Sequence, residues 1–282
     1  GMSDELKEQF MALYEETIEK SIKFVRRNCR ELIPTMDNNL VMSCCRLFQS
    51  MFVASKGAKL DAADISQTLS KMFMWSLVWS VGGNVDGVQG KEKFSEFIRE
   101  NFQTVRFPNS GTVYDYVLDP ETKEWQPWEE VTRPFIFDKN AKFSDILVPT
   151  KDTCRYSYLL GTCVEVQRNF ALIGDTGTGK SVIVVDALGQ YQDPLNLVPF
   201  TVNFSAQTAA KQLQEMMEVK FEKRRKGVVG SPIGKILVCF VDDVNMPARE
   251  TYGAQPPIEV LRLMQDRVEY YRPVGGVWDR KK

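Results

Sequence analysis

The chain has 282 residues, 43% of them hydrophobic and 26% charged, which is typical of a globular protein long enough for about two domains. Its formal net charge of −1 provides no overall attraction to nucleic acid or to an anionic membrane, so we expect neither as a partner. Histidine is absent, which excludes His-based catalytic triads and the usual zinc sites. Any catalysis must therefore use carboxylates, lysine, arginine or a metal held by oxygen ligands.

The N-terminal residues 1–106 predict an all-α domain. Apolar residues recur at helical spacing in three segments, and a fourth, polar-faced helix is expected from about Lys91 to Asn101. The aromatic and methionine residues of these segments are expected to pack in a core. The signals that end or begin the helices are Pro34 after the first, Asp37 and Asp61 at the starts of the second and third, and Gly82-Gly83 at the end of the third.

A β-hairpin connector is expected in residues 107–143. Val113–Leu118 and Glu124–Trp128 alternate in polarity around the turn sequence Asp119-Pro120-Glu121. The aromatic side chains could form a stacking platform for bases, but no basic residues are interleaved with them. A packed hairpin is therefore favoured.

Residues 144–282 alternate between apolar strands and helical segments, which predicts an α/β fold with a buried parallel sheet and flanking helices. The six cysteines form no C-x-x-C pair, and we expect reduced core thiols in a cytosolic protein. The basic run at residues 222–226 is expected at a solvated helix end. The expected elements are a lead-in at Ile146–Thr150, a helix capped by Asp152, a strand at Phe170–Ile173, a helix at Lys180–Leu188, a strand at Val198–Phe204, a helix from Ser205 to about Arg225, a strand at Ile236–Val241, and a final hairpin at Val268–Arg272 and Val277–Trp278.

A complete phosphate-loop motif, G-x-x-x-x-G-K-S, follows the strand predicted at Phe170–Ile173. Its glycines allow backbone N–H groups to turn around a polyphosphate, Lys180 supplies positive charge, and Ser181 offers a hydroxyl to Mg²⁺. The helix that follows directs its partial positive charge at the phosphates. The predicted nucleotide-binding residues of the motif are Gly174, Thr176, Gly177, Thr178, Gly179, Lys180 and Ser181.

The strand predicted at Ile236–Val241 ends in two carboxylates, roughly sixty residues after the phosphate loop, as expected for the partner motif of a P-loop NTPase. Asp242 is the predicted Mg²⁺ ligand, directly or through water. Asp243 stands where many ATPases have a glutamate that orients the attacking water. Aspartate is shorter by one methylene, and a displacement of about an ångström can cost on the order of a hundredfold in rate. We therefore expect a site that binds ATP and hydrolyses it slowly.

Several long motifs resemble dynein heavy chains, more the axonemal than the cytoplasmic type. The segment Asn245–Arg262 is similar to the family's sequence after the Walker B strand, and Ile146–Tyr156 is similar to the entry of its third AAA+ module. Upstream, Cys29–Thr35 and Trp75–Gly83 resemble the small helical subdomain that closes the second module. The resemblance covers nearly the whole chain.

This resemblance implies a truncated AAA+ sheet at 144–282, preceded by the helical subdomain at 1–106 and the connector at 107–143. It implies a regulatory ATP or ADP site with Mg²⁺ in a microtubule motor of the cytoskeleton, in the cytoplasm or in the axoneme of a cilium or flagellum. Val148, Pro149 and Thr150 would line the adenine pocket. The implied partners are neighbouring AAA+ modules of the same chain and, through other parts of the heavy chain, microtubules and light and intermediate chains.

In the family, the strand that carries a polar sensor of the γ-phosphate comes later in the sequence than the Walker B strand. Within the sheet, however, it lies between the phosphate-loop strand and the Walker B strand. The residues up to Lys282 do not include this strand, so we expect weak ATP affinity and essentially no turnover for these residues alone. Two alternatives to a motor ATPase are a scaffold that binds ATP without hydrolysing it and a nucleotide kinase. The kinase lacks support, because no Arg-rich lid for a second substrate is recognisable.

Overall fold

The computed structural model describes residues 4–54, 62–119, 122–135, 148–226, 228–267, 270–274 and 277–281. The chain forms two compact units, Gly1–Ile183 and Val184–Lys282. No helix in the described ranges combines the length and the apolar character needed to cross a membrane.

Four helices build most of the first unit, and all four were predicted: α1 (Asp4–Asn28), α2 (Asp37–Ala54), α3 (Ala62–Ser80) and α4 (Gly87–Asn101). The fourth begins several residues before the predicted Lys91, after an N-cap at Asp86. Helix α1 already ends at Asn28, ahead of Pro34. The predicted cap Asp61 lies outside the described residues.

A single aromatic-rich core joins these helices. Phe73, Trp75 and Leu77 on α3 are completely buried, because α3 is the central helix and is covered by α1 and α2. Phe10 of α1 contacts Phe73 edge-on, with 5.4 Å between ring centroids. The aromatic residues of this region are therefore core residues, as their helical spacing predicts.

The predicted hairpin is present and shorter than expected. Strand β1 (Tyr116–Leu118) pairs antiparallel with β2 (Trp125–Pro127). A buried indole of α3 ties this hairpin to the helical core, since Trp75 Nε1 donates to the Tyr116 carbonyl at 3.2 Å. A second buried indole joins the two ends of the hairpin, since Trp128 Nε1 donates to the Tyr114 carbonyl at 3.0 Å. Trp128 is fully buried, which excludes it from a base-stacking surface. Pro120 and Glu121 of the predicted turn lie outside the described residues.

A short helix, α5 (Trp128–Val131), and the longer α6 (Lys151–Glu165) complete the regular elements of the first unit. The predicted cap of α6 was wrong by two residues. Thr150 is the N-cap and accepts a hydrogen bond from the Thr153 N–H at 3.2 Å, while the Thr153 hydroxyl accepts one from the Thr150 N–H at 2.8 Å. Asp152 instead forms an ion pair with Arg155 on the next turn of the helix. The lead-in residues Ile146 and Leu147 lie outside the described residues.

The strand predicted at Phe170–Ile173 was wrong for the described structure, in which these residues belong to no helix or sheet. A strand requires a neighbour for its backbone N–H and C=O groups, and no described segment provides one for Phe170–Ile173. The apolar pattern alone could not show this. The helix after the phosphate loop, α7 (Lys180–Gln192), is present as predicted and continues into the second unit.

A parallel pair of strands forms the centre of the second unit. Strand β3 (Leu197–Asn203) pairs with β6 (Ile236–Asp242) from Leu197 opposite Ile236 to Asn203 opposite Asp242. Both strands lie within one residue of their predicted positions. Helices α8 (Ala210–Glu218) and α9 (Pro256–Arg267) cover the sheet and contact one another through Leu213, Met217, Ile258, Leu261 and Met264. The parallel sheet with flanking helices confirms the predicted α/β class.

The long helix predicted from Ser205 to about Arg225 was wrong. Ser205 begins a turn, in which its N–H donates to the Thr208 hydroxyl at 2.8 Å. Helix α8 occupies only Ala210–Glu218. The basic run then forms an exposed strand, β4 (Glu222–Arg225), paired antiparallel with β5 (Val228–Gly230). Pairing with the valines of β5 overrides the helix propensity of Lys and Arg.

Strands β7 (Tyr270–Val274) and β8 (Val277–Lys281) form the predicted final hairpin, although Val268 and Glu269 lie outside the described residues. The cysteines in the described ranges are free thiols, as expected. Burial raises the pKa of Cys44 to about 12 and that of Cys163 and Cys239 to about 11. These thiols are therefore protonated near neutral pH and behave as core residues.

Candidate nucleotide-binding site

The phosphate loop contains two glycines in the left-handed backbone region, Gly177 with φ +81° and Gly179 with φ +79°. A Cβ atom placed on either glycine would meet no other atom within 4 Å. Glycine is therefore required by the backbone conformation and not by lack of space. The open surroundings also leave the loop backbone accessible to a ligand.

Lys180 folds back over the loop that precedes it. Its ammonium group donates to the Asp175 carbonyl at 2.5 Å and lies 3.4 Å from the Thr178 hydroxyl. The same Asp175 carbonyl accepts a hydrogen bond from the Thr178 hydroxyl at 2.9 Å. These contacts place the positive charge beside the loop backbone, where a bound phosphate would replace the Asp175 carbonyl as the partner of Lys180.

Helix α7 begins at Lys180, directly after the second left-handed glycine, and the Ile183 N–H donates to the Gly179 carbonyl at 3.0 Å. The N–H groups of the first helical residues, including Ser181, have no partner within the helix. This helix N-terminus is a favourable place for an anion. Ser181 is half-buried on the first turn.

The residues predicted for an adenine pocket stand immediately before α6. Val148 is 53% exposed and Pro149 is half-buried. Thr150 uses its side chain to cap α6, as described above. An apolar, accessible side chain beside a rigid helix start is compatible with stacking on a base, and the adenine role of these three residues stays a prediction.

The two carboxylates occupy the carboxyl end of β6, at the edge of the parallel sheet. Asp242 is half-buried, and its Oδ1 accepts a hydrogen bond from the Asp243 N–H at 3.0 Å. Asp243 is exposed and has φ +52°, a left-handed conformation that aspartate tolerates better than most residues. The chain thus turns sharply between the two carboxylates.

Two polar residues near this strand end were not among the site residues predicted from the sequence. Asn203 ends β3 directly opposite Asp242 in the parallel register. Gln255 lies before α9 and donates to the Pro247 carbonyl at 2.6 Å. Asn203 could have been found, because the polar residues that end neighbouring parallel strands share one edge of the sheet. Gln255 could not, since its role depends on how the intervening loop folds.

Each half of the predicted site is built within its own compact unit, the phosphate loop in the first and the β6 carboxylates in the second. Residues 135–278, which contain both halves, match the family described as the P-loop containing dynein motor region. Residues 10–130 match the dynein heavy chain AAA lid domain. The chain belongs to the dynein heavy chain family.

Individual dynein relatives align with nearly the whole chain. It is 36% identical over 286 residues to human dynein axonemal heavy chain 6, an alignment that covers 100% of this chain and 7% of that protein. It is 38% identical to mouse dynein axonemal heavy chain 1, covering 97% of this chain and 7% of the relative. Human dynein axonemal heavy chain 12 is 41% identical over 71% of this chain and 7% of its own length. The chain therefore spans a small part of these relatives.

Proposed function

We propose that this dynein segment is a regulatory ATP-binding AAA+ site. The observation that carries the proposal is the phosphate loop, in which left-handed Gly177 and Gly179 lead into α7 and Lys180 lies over the loop. A strand-end carboxylate, Asp242, on a parallel sheet of the same chain is the second element that such sites need. The proposed division is a helical subdomain at 1–106, a connector at 107–143 and a partial AAA+ large subdomain at 144–282.

The proposed phosphate contacts are the loop backbone from Gly174 to Gly179, including Thr176 and Thr178, together with Lys180. Ser181 and Asp242 fit Mg²⁺, which prefers oxygen ligands and is usually held by one or two protein groups plus substrate phosphates. Asp242 engages Oδ1 with the Asp243 N–H, which leaves Oδ2 to face a cation. A bound Mg²⁺ would neutralise charge on the β- and γ-phosphates.

In the whole heavy chain, ATP hydrolysis would contribute to minus-end-directed movement or ciliary beating. The proposed partners are the neighbouring AAA+ modules, microtubules, and light and intermediate chains. The axonemal names of the relatives favour a location in the axoneme of a cilium or flagellum.

A scaffold that binds ATP without hydrolysing it is the second candidate, and Asp243 favours it. The carboxylate on this short side chain would have to orient the attacking water from an exposed, left-handed position. Slow or absent turnover with retained binding would distinguish this scaffold from a regulatory ATPase.

The proposal is tested with Lys180→Ala in a heavy chain that carries this segment and its neighbouring modules, with the other nucleotide sites inactivated. Binding of a fluorescent ATP analogue with Mg²⁺ is expected to weaken at least about tenfold, because a charge-assisted phosphate contact is lost. Lys211→Ala is the matched control, since Lys211 is an exposed α8 residue paired with Glu215 at 3.8 Å. Equal affinity in the two variants would contradict nucleotide binding at this loop.

A further inference from the structure

The loop between β6 and α9 is held by its own hydrogen bonds. The Met246 N–H donates to the Asp243 carbonyl at 2.9 Å and closes a turn directly after the carboxylate pair. Further along, the Gly253 N–H donates to the Glu250 carbonyl at 2.8 Å. These hydrogen bonds define the conformation of the loop, which begins with the left-handed residue Asp243.

Gln255 links this loop to α9, because its side chain bonds to the loop and its backbone carbonyl bonds to the helix. Its side-chain Nε2 donates to the Pro247 carbonyl at 2.6 Å and to the Asn245 carbonyl at 3.3 Å. Its backbone carbonyl accepts from the N–H groups of Ile258 and Glu259, at 2.9 and 3.1 Å, in the first turn of α9. Gln255 thus joins the start of α9 to one carbonyl within the Asp243 turn, that of Asn245, and to one just after it, that of Pro247.

Helix α9, which follows Gln255, is held in place by apolar packing. Ile258, Leu261 and Met264 pack against the core around Leu213 and Met217 of α8. The position of Gln255 is therefore set by the hydrophobic core of the second unit. Aspartate tolerates the left-handed region better than most residues, but as an L-residue it still needs surroundings that keep it there.

We infer that Gln255 is a positioning residue for the Asp242–Asp243 carboxylates. Its amide holds the Asn245 and Pro247 carbonyls at the start of α9, and the turn from Asp243 to Met246 is thereby kept with Asp243 at a positive φ. Without the amide, Asp243 relaxes to an ordinary negative φ, and its carboxylate changes direction relative to Asp242. The inference deepens the proposed nucleotide site and rests on it for the effect on Mg²⁺.

The test compares Gln255→Met, which keeps the length and loses the donor, with Gln255→Lys, which keeps a donor. Both are made in a heavy chain with its neighbouring modules and its other nucleotide sites inactivated. Gln192→Met is the matched control, because Gln192 is exposed at the end of α7. The first readout is hydrogen exchange of the backbone amides from Asp243 to Met246, which needs no nucleotide.

We expect faster exchange of these amides in Gln255→Met, partial recovery in Gln255→Lys and no change in Gln192→Met. The second readout is Mg²⁺ dependence of binding of a fluorescent ATP analogue. Gln255→Met should weaken the apparent Mg²⁺ affinity about tenfold and leave metal-free binding unchanged, since the phosphate loop is untouched. A merely destabilising change would weaken both.

Unchanged amide exchange in Gln255→Met, or unaltered Mg²⁺ dependence in a protein that binds nucleotide, would overturn the inference. If the unsubstituted protein binds no nucleotide, the proposed function fails on its own. The exchange measurement then still decides whether Gln255 holds the turn.

Discussion

The backbone N–H of Asp243 donates to the carboxylate of Asp242 at 3.0 Å, so the backbone of the second aspartate orients the side chain of the first. Directly after this contact the chain turns at Asp243, which is left-handed with φ +52°. The residue that stands in place of a catalytic glutamate thus has a structural role as well. Substitutions at Asp243 will change both reach and backbone strain.

Asp243→Glu is expected to raise ATP turnover in a heavy chain that carries this segment with its other sites inactivated. The added methylene restores reach, whose loss can cost on the order of a hundredfold. The gain should be smaller than that, because glutamate in a left-handed conformation costs roughly 1 kcal/mol. Steady-state phosphate release at saturating ATP measures the effect. Lower or unchanged turnover would show that reach does not limit hydrolysis.

Alanine substitution should weaken ATP-analogue binding at a glycine of the phosphate loop and leave it unchanged at a glycine of α7. Gly177→Ala forces an L-residue to φ +81° and should weaken binding of an ATP analogue several-fold, at a strain of about 1 kcal/mol. Gly189 lies within α7, and a Cβ there meets nothing within 4 Å. Gly189→Ala should leave binding unchanged and stabilise the protein by about 0.5–1 kcal/mol in denaturant unfolding. Equal binding by both variants would contradict this assignment.

The sequence correctly predicted those elements whose signal lies within a short stretch of residues. The stripes of α1 to α3, the apolar strands β3 and β6, and the complete phosphate-loop motif all carry their own signal. The position of Asp242 at the end of β6 could be predicted because it directly follows an apolar strand, whereas its role as a Mg²⁺ ligand stays a prediction. The family, too, follows from long local motifs such as Asn245–Arg262.

The errors in the type of element occurred where a partner strand decides the outcome. Phe170–Ile173 reads as a strand, but an apolar run becomes a strand only beside another strand. The basic run at Glu222–Arg225 has helix propensity and yet pairs with β5. Gln255 reaches its carbonyl partners through a loop whose path no periodicity describes. Propensity is a weak prior against such tertiary contacts.

The two tryptophans of the connector should differ sharply in their contribution to stability. Trp128 is fully buried and donates to the Tyr114 carbonyl at 3.0 Å, whereas the half-exposed Trp125 donates to the Arg106 carbonyl at 3.0 Å near solvent. Trp128→Phe leaves a buried carbonyl unpaired and a cavity, at about 2–3 kcal/mol. Trp125→Phe should cost less than about 1 kcal/mol, because water replaces the lost donor.

Urea unfolding followed by circular dichroism compares these two variants on equal terms. Similar midpoints for Trp128→Phe and Trp125→Phe would mean that the buried Trp128 indole does not stabilise the connector more than the half-exposed Trp125 does. A loss confined to Trp128→Phe would show that the buried contact between Trp128 and Tyr114 stabilises the first unit.

Acid should weaken the first unit through Glu31, which lies between α1 and α2. Burial raises the pKa of this carboxyl, but the Arg26 guanidinium and the hydrogen bonds from Thr35 and Asn84 outweigh it and lower the pKa overall. A carboxyl with a lowered folded-state pKa stabilises the fold above its unfolded-state pKa. That contribution is lost as the pH falls below about 4.5 and through the folded-state pKa.

Glu31→Gln should therefore lower stability at pH 7, where it leaves Arg26 without one of its carboxylate partners, and should flatten the loss of stability below about pH 4.5. Glu15→Gln is the control, because Glu15 is exposed on α1. Urea midpoints measured from pH 7 to pH 3 test the prediction. Parallel pH profiles for the unsubstituted chain and Glu31→Gln would place the acid-sensitive carboxyl elsewhere, and Asp115 is then the next candidate. Burial raises the pKa of Asp115, but hydrogen bonds from Thr112 and the ammonium of Lys151 lower it overall.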